Sequence, residues 1–214
     1  MTLRDPPPNR VGKCEGGIEH VLSEGAVMIA FAMHLLATVP DLKHVAIHPD
    51  GEHGKRLDFR GWFLRHGFEH SKPMGTTSYG GLYTHDDGRT ILVNPASGRG
   101  DVVADIDGRS YVAECKGGIL NTTHPGQTSR LRQGLCETVG LSLATPIVKG
   151  RRQFAVVPKT KVTEALAARM AARAGHAGIE IALVDGLGRV EIVASLNNSS
   201  PVLGQRVQGP SVRV

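Results

Sequence analysis

The stretch GDVVADIDGRSYVAECK, residues 100–116, has the pattern of two β-strands joined by a tight turn. Its centre, Asp107-Gly108, is a strong signal for a two-residue hairpin, because a type I′ turn needs positive φ at both central positions. Ile106 should then pair with Arg109, and every further pair should have the same sum of residue numbers. The stretch therefore predicts an antiparallel hairpin with a fixed register.

The open end of this hairpin brings charged side chains together. The same register places Asp101 opposite Glu114, where directly opposed Cβ atoms are roughly 5 Å apart and like charges destabilise a sheet. Strand alternation puts Glu114 and Lys116 on one face and Cys115 on the other. A divalent cation between the two carboxylates, with the lysine beside it, is the simplest compensation. The alternative is an ordinary edge hairpin that carries solvated charges.

The combination of Asp101 with Glu114-Cys115-Lys116 resembles the PD-(D/E)XK nuclease superfamily, which has the restriction-endonuclease-like fold. In that superfamily a metal-binding aspartate opens one strand and Glu-x-Lys closes the next; Gly100 stands here in place of the usual proline. The resemblance points to the RecB-like and Holliday-junction-resolvase-like branches. It implies an α/β (α+β) protein with an αβββαβ core, in which helices flank a central mixed sheet.

The resemblance also implies the roles of the site residues. Asp101 and Glu114 would bind Mg²⁺, for which Mn²⁺ could substitute, together with the main-chain carbonyl of Cys115. Lys116 would orient the attacking water and stabilise charge in the transition state. Asp101, Glu114 and Lys116 are thus the candidate catalytic residues. The Cys115 thiol is expected to point into the core and to take no part in the chemistry.

Basic residues downstream of the hairpin are candidates for phosphate contacts, which add affinity without sequence choice. RecB-like branches place a glutamine on the helix that follows the motif, and Gln133 is the most plausible match. A solvated basic face is an equally good interpretation of any one of the others. The nucleic-acid-binding candidates are Arg130, Arg132, Gln133, Lys149, Arg151 and Arg152.

An additional acid on an upstream helix completes the site in some members of the superfamily. The candidates here are Glu19, Glu24, Glu52 and Asp58, and the sequence does not choose among them.

Composition favours a polyanionic partner and a reducing compartment. The chain of 214 residues has a formal charge of +5 and a pI of about 9.3, so its surface should attract nucleic acid. Three widely spaced cysteines argue against a disulfide framework and for the cytoplasm. No apolar signal core is evident, and the longest apolar run, residues 26–39, is too short for a membrane span.

The chain divides into an N-terminal arm and helix (residues 1–54), a nuclease-like domain (55–194) and a flexible tail (195–214). Apolar periodicity and turn signals predict the elements within it. Helices are expected at 18–38, 55–66, 128–144 and 161–175, a strand from Phe68, a hairpin within 83–93, and strands at 154–157, 179–184 and 189–193. The resemblance covers roughly residues 55–160.

The sequence therefore predicts a Mg²⁺-dependent nuclease, acting on DNA as an endonuclease. The alternative is a non-catalytic nuclease-fold subunit that binds nucleic acid or serves as a scaffold in a larger defence or repair complex. A junction resolvase, which would work as a two-fold dimer, is a further interpretation. Whether the chain acts as a homodimer or within a larger complex is left open.

Overall fold

The computed structural model describes residues 14–50, 53–96 and 98–194. The N-terminal arm up to residue 13, Glu52 and the tail after residue 194 lie outside the described residues. The helices are α1 (Glu24–Thr38), α2 (His53–Arg56), α3 (Phe59–Arg65), α4 (Pro125–Ala144) and α5 (Lys161–His176). The strands are β1 (Val21–Leu22), β2 (His44–Ile47), β3 (Phe68–Pro73), β4 (Gly81–His85), β5 (Thr90–Val93), β6 (Val102–Ile106), β7 (Arg109–Cys115), β8 (Gly118–Ile119), β9 (Arg151–Pro158), β10 (Ile179–Val184) and β11 (Val190–Val193).

A nine-stranded mixed sheet forms the centre of the fold, in the order β11-β10-β9-β7-β6-β2-β5-β4-β3. Three pairs are parallel, namely β7 with β9, β9 with β10, and β2 with β5, and the rest are antiparallel. A separate pair, β1 with β8, is antiparallel. With helices on the sheet, the protein belongs to the mixed α/β class, as the sequence predicts.

The hairpin formed by β6 and β7 has the predicted register. Ile106 pairs with Arg109, and pairing continues without a shift to Val102 opposite Ala113. Asp107 has φ 48° and Gly108 has φ 72°, the positive values that the type I′ turn requires. The second Asp-Gly pair, Asp87-Gly88, likewise joins β4 to β5 in the predicted hairpin.

Helix α1 begins at Glu24, six residues later than the periodicity predicts. The side chain of Ser23 accepts a hydrogen bond from Ala26 N–H and caps the helix, while Val21 and Leu22 before it pair with β8. Most of α1 is buried, and it packs against β2, β6, β7 and β9. A nearly all-round apolar helix of this kind belongs inside the core.

The predicted helix at residues 55–66 is divided in the structure, and the predicted helix at 128–144 begins earlier. Residues 55–66, predicted as one helix, form the end of α2 and the separate α3, because Asp58 caps α3 by accepting from Gly61 N–H. Helix α4 begins at Pro125 instead of Thr128: the His124 side chain caps it, and proline fits the first helical position. Strand β2 was not predicted at all.

The two faces of the sheet carry different apolar clusters. Helices α1 and α3 contribute to one cluster, which includes Ala113, Cys115 and Phe154. Helices α4 and α5 contribute to the other, which includes Leu135, Ala155 and Ile181. Within the described residues, no helix combines the length and the apolar character needed to span a bilayer.

Candidate active site

Four elements meet at the open end of the β6–β7 hairpin. Asp101 precedes β6, Glu114 lies near the end of β7, and Lys116 follows β7 directly. Helix α1 reaches this place with its first residue, Glu24, and α4 passes it at Glu137. The cluster of Glu24, Asp101, Glu114, Lys116 and Glu137 is called the acidic cluster below.

Asp101 is held by a side-chain contact across the hairpin. Its Oδ2 accepts a hydrogen bond of 2.7 Å from the backbone N–H of Cys115, the residue between Glu114 and Lys116. The Asp101 N–H donates to the Ala113 carbonyl at 2.9 Å, and its carbonyl accepts from His48 N–H at 2.8 Å. Pairing of β6 with β7 ends at Val102 opposite Ala113, in the predicted register, and the Asp101 N–H also bonds to Ala113, so Asp101 leaves the ladder where it would have paired with Glu114.

Gly100 explains why the backbone can approach so closely here. A Cβ at this position would lie 2.7 Å from Val112 Cγ1, 3.0 Å from the Ala113 carbonyl oxygen and 3.3 Å from Glu114 Oε1. A side chain at residue 100 would therefore force its neighbours to move. The same distances place the Glu114 carboxyl against the segment that carries Asp101.

The Glu114 carboxyl is half-buried among other acids. Burial raises its pKa, the negative charges of Asp101 and Glu24 raise it further, and Lys116 opposes them; the pKa reaches about 7. At neutral pH the carboxyl is thus poised between its protonated and ionised forms. A cation at this place would favour the ionised form.

Lys116 is surrounded by carboxylates. Its Nζ lies 3.4 Å from Glu24 Oε1 and 3.3 Å from Glu137 Oε1. Burial alone would lower the pKa of Lys116, but the charges of Glu24, Glu137 and Asp101 outweigh it and raise the pKa. The Lys116 side chain is 30 % exposed, so the ammonium stays charged and can reach solvent and a ligand.

The position of Glu24 depends on a close approach between α1 and the end of β7. A Cβ on Gly117 would lie 2.5 Å from Glu24 N, 2.6 Å from Leu22 O and 2.7 Å from Ser23 C. Only a residue without a side chain fits there. Among the four upstream acids of the sequence analysis, the structure thus brings Glu24 to Lys116, whereas Asp58 caps α3 and contacts Arg65. Glu19 lies ahead of β1, and Glu52 is outside the described residues.

Cys115 has the expected orientation. Its side chain is fully buried in the cluster beneath α1, and burial followed by the nearby carboxylates raises the pKa of the thiol well above its ordinary value. A thiol in this environment stays protonated and is a poor nucleophile. The prediction that it points into the core is confirmed.

The basic candidates fall into three groups. Gln133 and Arg130 lie one and two turns before Glu137 on the same side of α4, while Arg132 lies about 140° around the helix from Glu137. Lys149 and Arg151 are at the opposite end of the hairpin. Arg152 forms an ion pair with Glu180: its Nε and Nη2 donate to the two carboxylate oxygens of Glu180 at 2.8 and 2.7 Å.

Arg152 also stacks over aromatic rings, 5.6 Å from the Tyr111 centroid and 5.2 Å from the Phe154 centroid. Arg130 and Gln133 therefore lie on α4, the helix that borders the acidic cluster. Lys149, Arg151 and Arg152 lie away from the cluster.

The donor set of the acidic cluster suits a hard divalent cation. Mg²⁺ prefers oxygen ligands and keeps several of its waters, so it needs few carboxylates. Asp101 and Glu114 offer such oxygens, and the pKa of Glu114 is raised first by burial and then by the negative charges of Asp101 and Glu24. Across residues 14–50, 53–96 and 98–194, no group of three or more His, Cys, Asp or Glu side chains is arranged to hold a metal ion. A site here would therefore combine these two carboxylates with main-chain oxygen and water.

Comparisons of the chain with protein-family models, curated proteins and solved structures gave no match.

Proposed function

We propose that this protein is a Mg²⁺-dependent nuclease that hydrolyses phosphodiester bonds in DNA. The observation that carries the proposal is the assembly, at one strand end, of Asp101, Glu114 and Lys116 with Glu24 from a distant helix. The Asp101–Cys115 hydrogen bond of 2.7 Å fixes the first carboxylate next to the second. Two carboxylates can hold a metal ion that activates water, and a lysine beside them can stabilise the charge that develops on the phosphate.

The order of elements also supports the proposal. Leaving out residues 53–93, which form α2, α3 and β3–β5, and the two-residue strand β8, which lies outside the large sheet, the chain from α1 runs α1, β2, β6, β7, α4, β9. That order is αβββαβ, with β6 and β7 antiparallel and β9 parallel to β7. In this assignment α1, and not the helix predicted at residues 55–66, is the first core helix, so the core begins before residue 55; Glu24 would be the extra acid that some PD-(D/E)XK nucleases carry.

The residues divide the chemistry among them. Asp101 and Glu114 would hold Mg²⁺, which supplies an activated water and charge stabilisation at the phosphate when bound. The Lys116 ammonium would donate hydrogen bonds to the attacking water and to a phosphate oxygen, because its charge is preorganised by Glu24 and Glu137. Glu24 acts on Lys116 and Glu114 through charge and is a positioning residue.

The basic surface is the complement of this acidic cluster. A formal charge of +5 attracts the phosphate backbone, and Arg130 and Gln133 extend along α4 from the cluster. Non-specific attraction of this kind would bring DNA to a site whose own carboxylates repel it until a cation is bound.

The test is a cleavage panel. The protein is incubated with supercoiled plasmid, single-stranded DNA and structured RNA, in Mg²⁺ and in EDTA. Wild type should cut DNA in Mg²⁺ only, and Lys116→Ala should cut about 10³-fold more slowly, because the preorganised charge is lost. Lys72→Ala, which removes an exposed lysine on β3, is the matched control and should cut normally.

Cleavage that continues in EDTA, or equally fast cleavage by Lys116→Ala, would refute the proposal. Salt-dependent DNA binding with no metal-dependent cutting would instead favour the non-catalytic subunit. Thermal denaturation of each variant shows whether a loss of activity is merely a loss of folding.

A further inference from the structure

A groove of about 390 Å³ lies at the turn end of the β6–β7 hairpin, away from the acidic cluster. The hairpin turn forms one wall, and the loop between α4 and β9 forms the other. Its cationic side chains are Arg99, Arg109, Lys149 and Arg151. Lys149 and Arg151 were predicted to contact phosphates, whereas Arg99 and Arg109 were not singled out by the sequence.

The groove keeps a net positive charge after its internal pairing is counted. Arg99 forms an ion pair with Asp105, so these two charges cancel. In the described part of the chain, Arg109 and Lys149 take part in no ion pair, and both are exposed. Arg151 donates only to the Pro146 carbonyl, at 3.4 Å, and its buried Nε has no hydrogen-bond partner among the described residues. Three cations against the single remaining acid, Asp107, leave the groove attractive to an anion.

The groove lies on the strand that leads to the acidic cluster. Ser110, in the groove, and Glu114, in the cluster, alternate onto the same face of the sheet, and β9 pairs with them through Arg151 and Ala155. Four residues of strand span roughly 13 Å at about 3.3 Å each. Between these two places the strands are covered by α4, since Val112 and Ala155 are buried, so DNA does not run along the strand from the groove to the cluster.

We propose that this groove binds the phosphate backbone of duplex DNA at a place separate from the acidic cluster, where the phosphodiester reacts. The inference rests on the proposed nuclease function for its ligand, but not on catalysis. The groove contributes affinity and orientation along the duplex: Arg109 and Lys149 neutralise phosphates, and Arg151 offers guanidinium donors. It gives no base readout.

The test measures equilibrium binding without turnover. A fluorescent duplex of about 20 base pairs, longer than the span between the two sites, is titrated in EDTA by anisotropy at several salt concentrations. The variant Arg109→Ala/Lys149→Ala removes two exposed charges and keeps Arg151, whose partly buried side chain has a structural role. Its Kd should rise about tenfold, and its log K against log salt slope should fall by about 1.8, or 0.9 for each lost phosphate contact.

A matched double variant separates groove binding from overall charge. Lys72→Ala/Arg173→Ala removes two exposed cations elsewhere, on β3 and α5, and should bind within about twofold of wild type. With Mg²⁺ present, the groove variant should show a raised KM and an unchanged kcat. Wild-type-like binding by the groove variant, an equal loss in the control pair, or no duplex binding by wild type overturns the proposal.

The two proposals fail in different ways. If wild type cuts nothing but the groove variant still loses affinity and salt slope, the nuclease function is wrong and the groove stands. If cutting is Mg²⁺-dependent and the groove variant binds as wild type does, the nuclease function stands and the groove is wrong.

Discussion

The two ends of the β6–β7 hairpin are built in opposite ways. The turn end is made by neighbours in the sequence, is exposed, and carries positive charge around Asp107-Gly108. The open end is half-buried, carries mainly negative charge, and is completed by Glu24, which lies 92 residues from Lys116 in the chain. The turn fixes the register of the hairpin, and this register determines which charged side chains lie near each other at the open end. Changes at the turn should therefore affect stability, and changes at the open end should affect chemistry.

The largest effect should come from Glu114→Gln, which removes a carboxylate from the open end with almost no change in shape. Loss of this ligand should reduce Mg²⁺-dependent cleavage about 10³-fold or more, because the metal supplies both the nucleophile and charge stabilisation. Cleavage rates against Mg²⁺ concentration check this result. A variant that cuts normally at saturating Mg²⁺ would show that Glu114 is not a ligand.

The pH dependence of wild type follows from the pKa of Glu114, about 7. Protons compete with Mg²⁺ for this carboxyl, so cleavage at limiting Mg²⁺ should fall as pH drops below about 7. Raising Mg²⁺ should move the midpoint of this acidic limb to lower pH. A midpoint that stays the same at every Mg²⁺ concentration would contradict the assignment of Glu114 as a metal ligand.

The same group should affect stability in the metal-free protein. The pKa of Glu114 is raised on folding, so the native state binds more protons than the unfolded state between about pH 4.5 and 7. Stability from this group is present at low pH and is lost as pH rises through 7. Between pH 8 and 6, wild type should gain about 1 kcal/mol, or about 3 °C in Tm, relative to Glu114→Gln. Differential scanning fluorimetry in EDTA measures the difference.

An intermediate effect is expected for Glu24→Gln, which tests whether the distant helix matters to the open end. Because Glu24 raises the pKa of both Glu114 and Lys116, its loss should lower both. We expect cleavage to slow about tenfold, as for a positioning residue, and the acidic limb to move to lower pH.

Glu137→Gln is the matched control for Glu24→Gln. Glu137 contacts Lys116 at nearly the same distance, but it does not contribute to the pKa of Glu114. Its loss should leave the acidic limb where it is in wild type. If both variants shift the limb equally, Glu24 has no special place in the site.

The smallest effect should be that of Gly108→Ala at the turn end. Gly108 has φ 72°, which costs a residue with a side chain about 1 kcal/mol, so the Tm should fall by about 3 °C. The kcat should not change. Gly140→Ala makes the same chemical change in α4, where a Cβ meets nothing within 4 Å, and should instead stabilise the protein by about 0.5–1 kcal/mol. A large loss of kcat in Gly108→Ala would break the contrast between the two ends.

Local chemistry explains which parts of the structure could be predicted from the sequence. Both Asp-Gly turns were found, because positive φ demands particular residues at particular positions. The predicted start of α1 was wrong, because residues 18–22 continue the apolar pattern of the helix. In the structure, Val21 and Leu22 instead pair with β8 as a short strand. Strand β2 was missed because four residues carry too little periodicity, and its place between β5 and β6 is set by tertiary contacts.

The candidate site shows the same division. Asp101, Glu114 and Lys116 could be placed together because one hairpin carries all three. Glu24 could not be chosen from four acids, because its position depends on the docking of α1 against a distant strand. One signal was available: Ser23 before Glu24 is a good helix N-cap, which would have put the acid on the first turn of a helix.

Gly117 has a consequence for how the distant acid reaches the hairpin. The hairpin that carries Asp101, Glu114 and Lys116 has contacts that are local in sequence, and hairpins of this kind form in about 1–10 μs. Glu24 joins only when the backbone of Leu22 to Glu24 settles within a few ångströms of Gly117. If the proposed function is correct, the contact between Glu24 and Lys116 therefore depends on a close backbone approach that only a glycine allows.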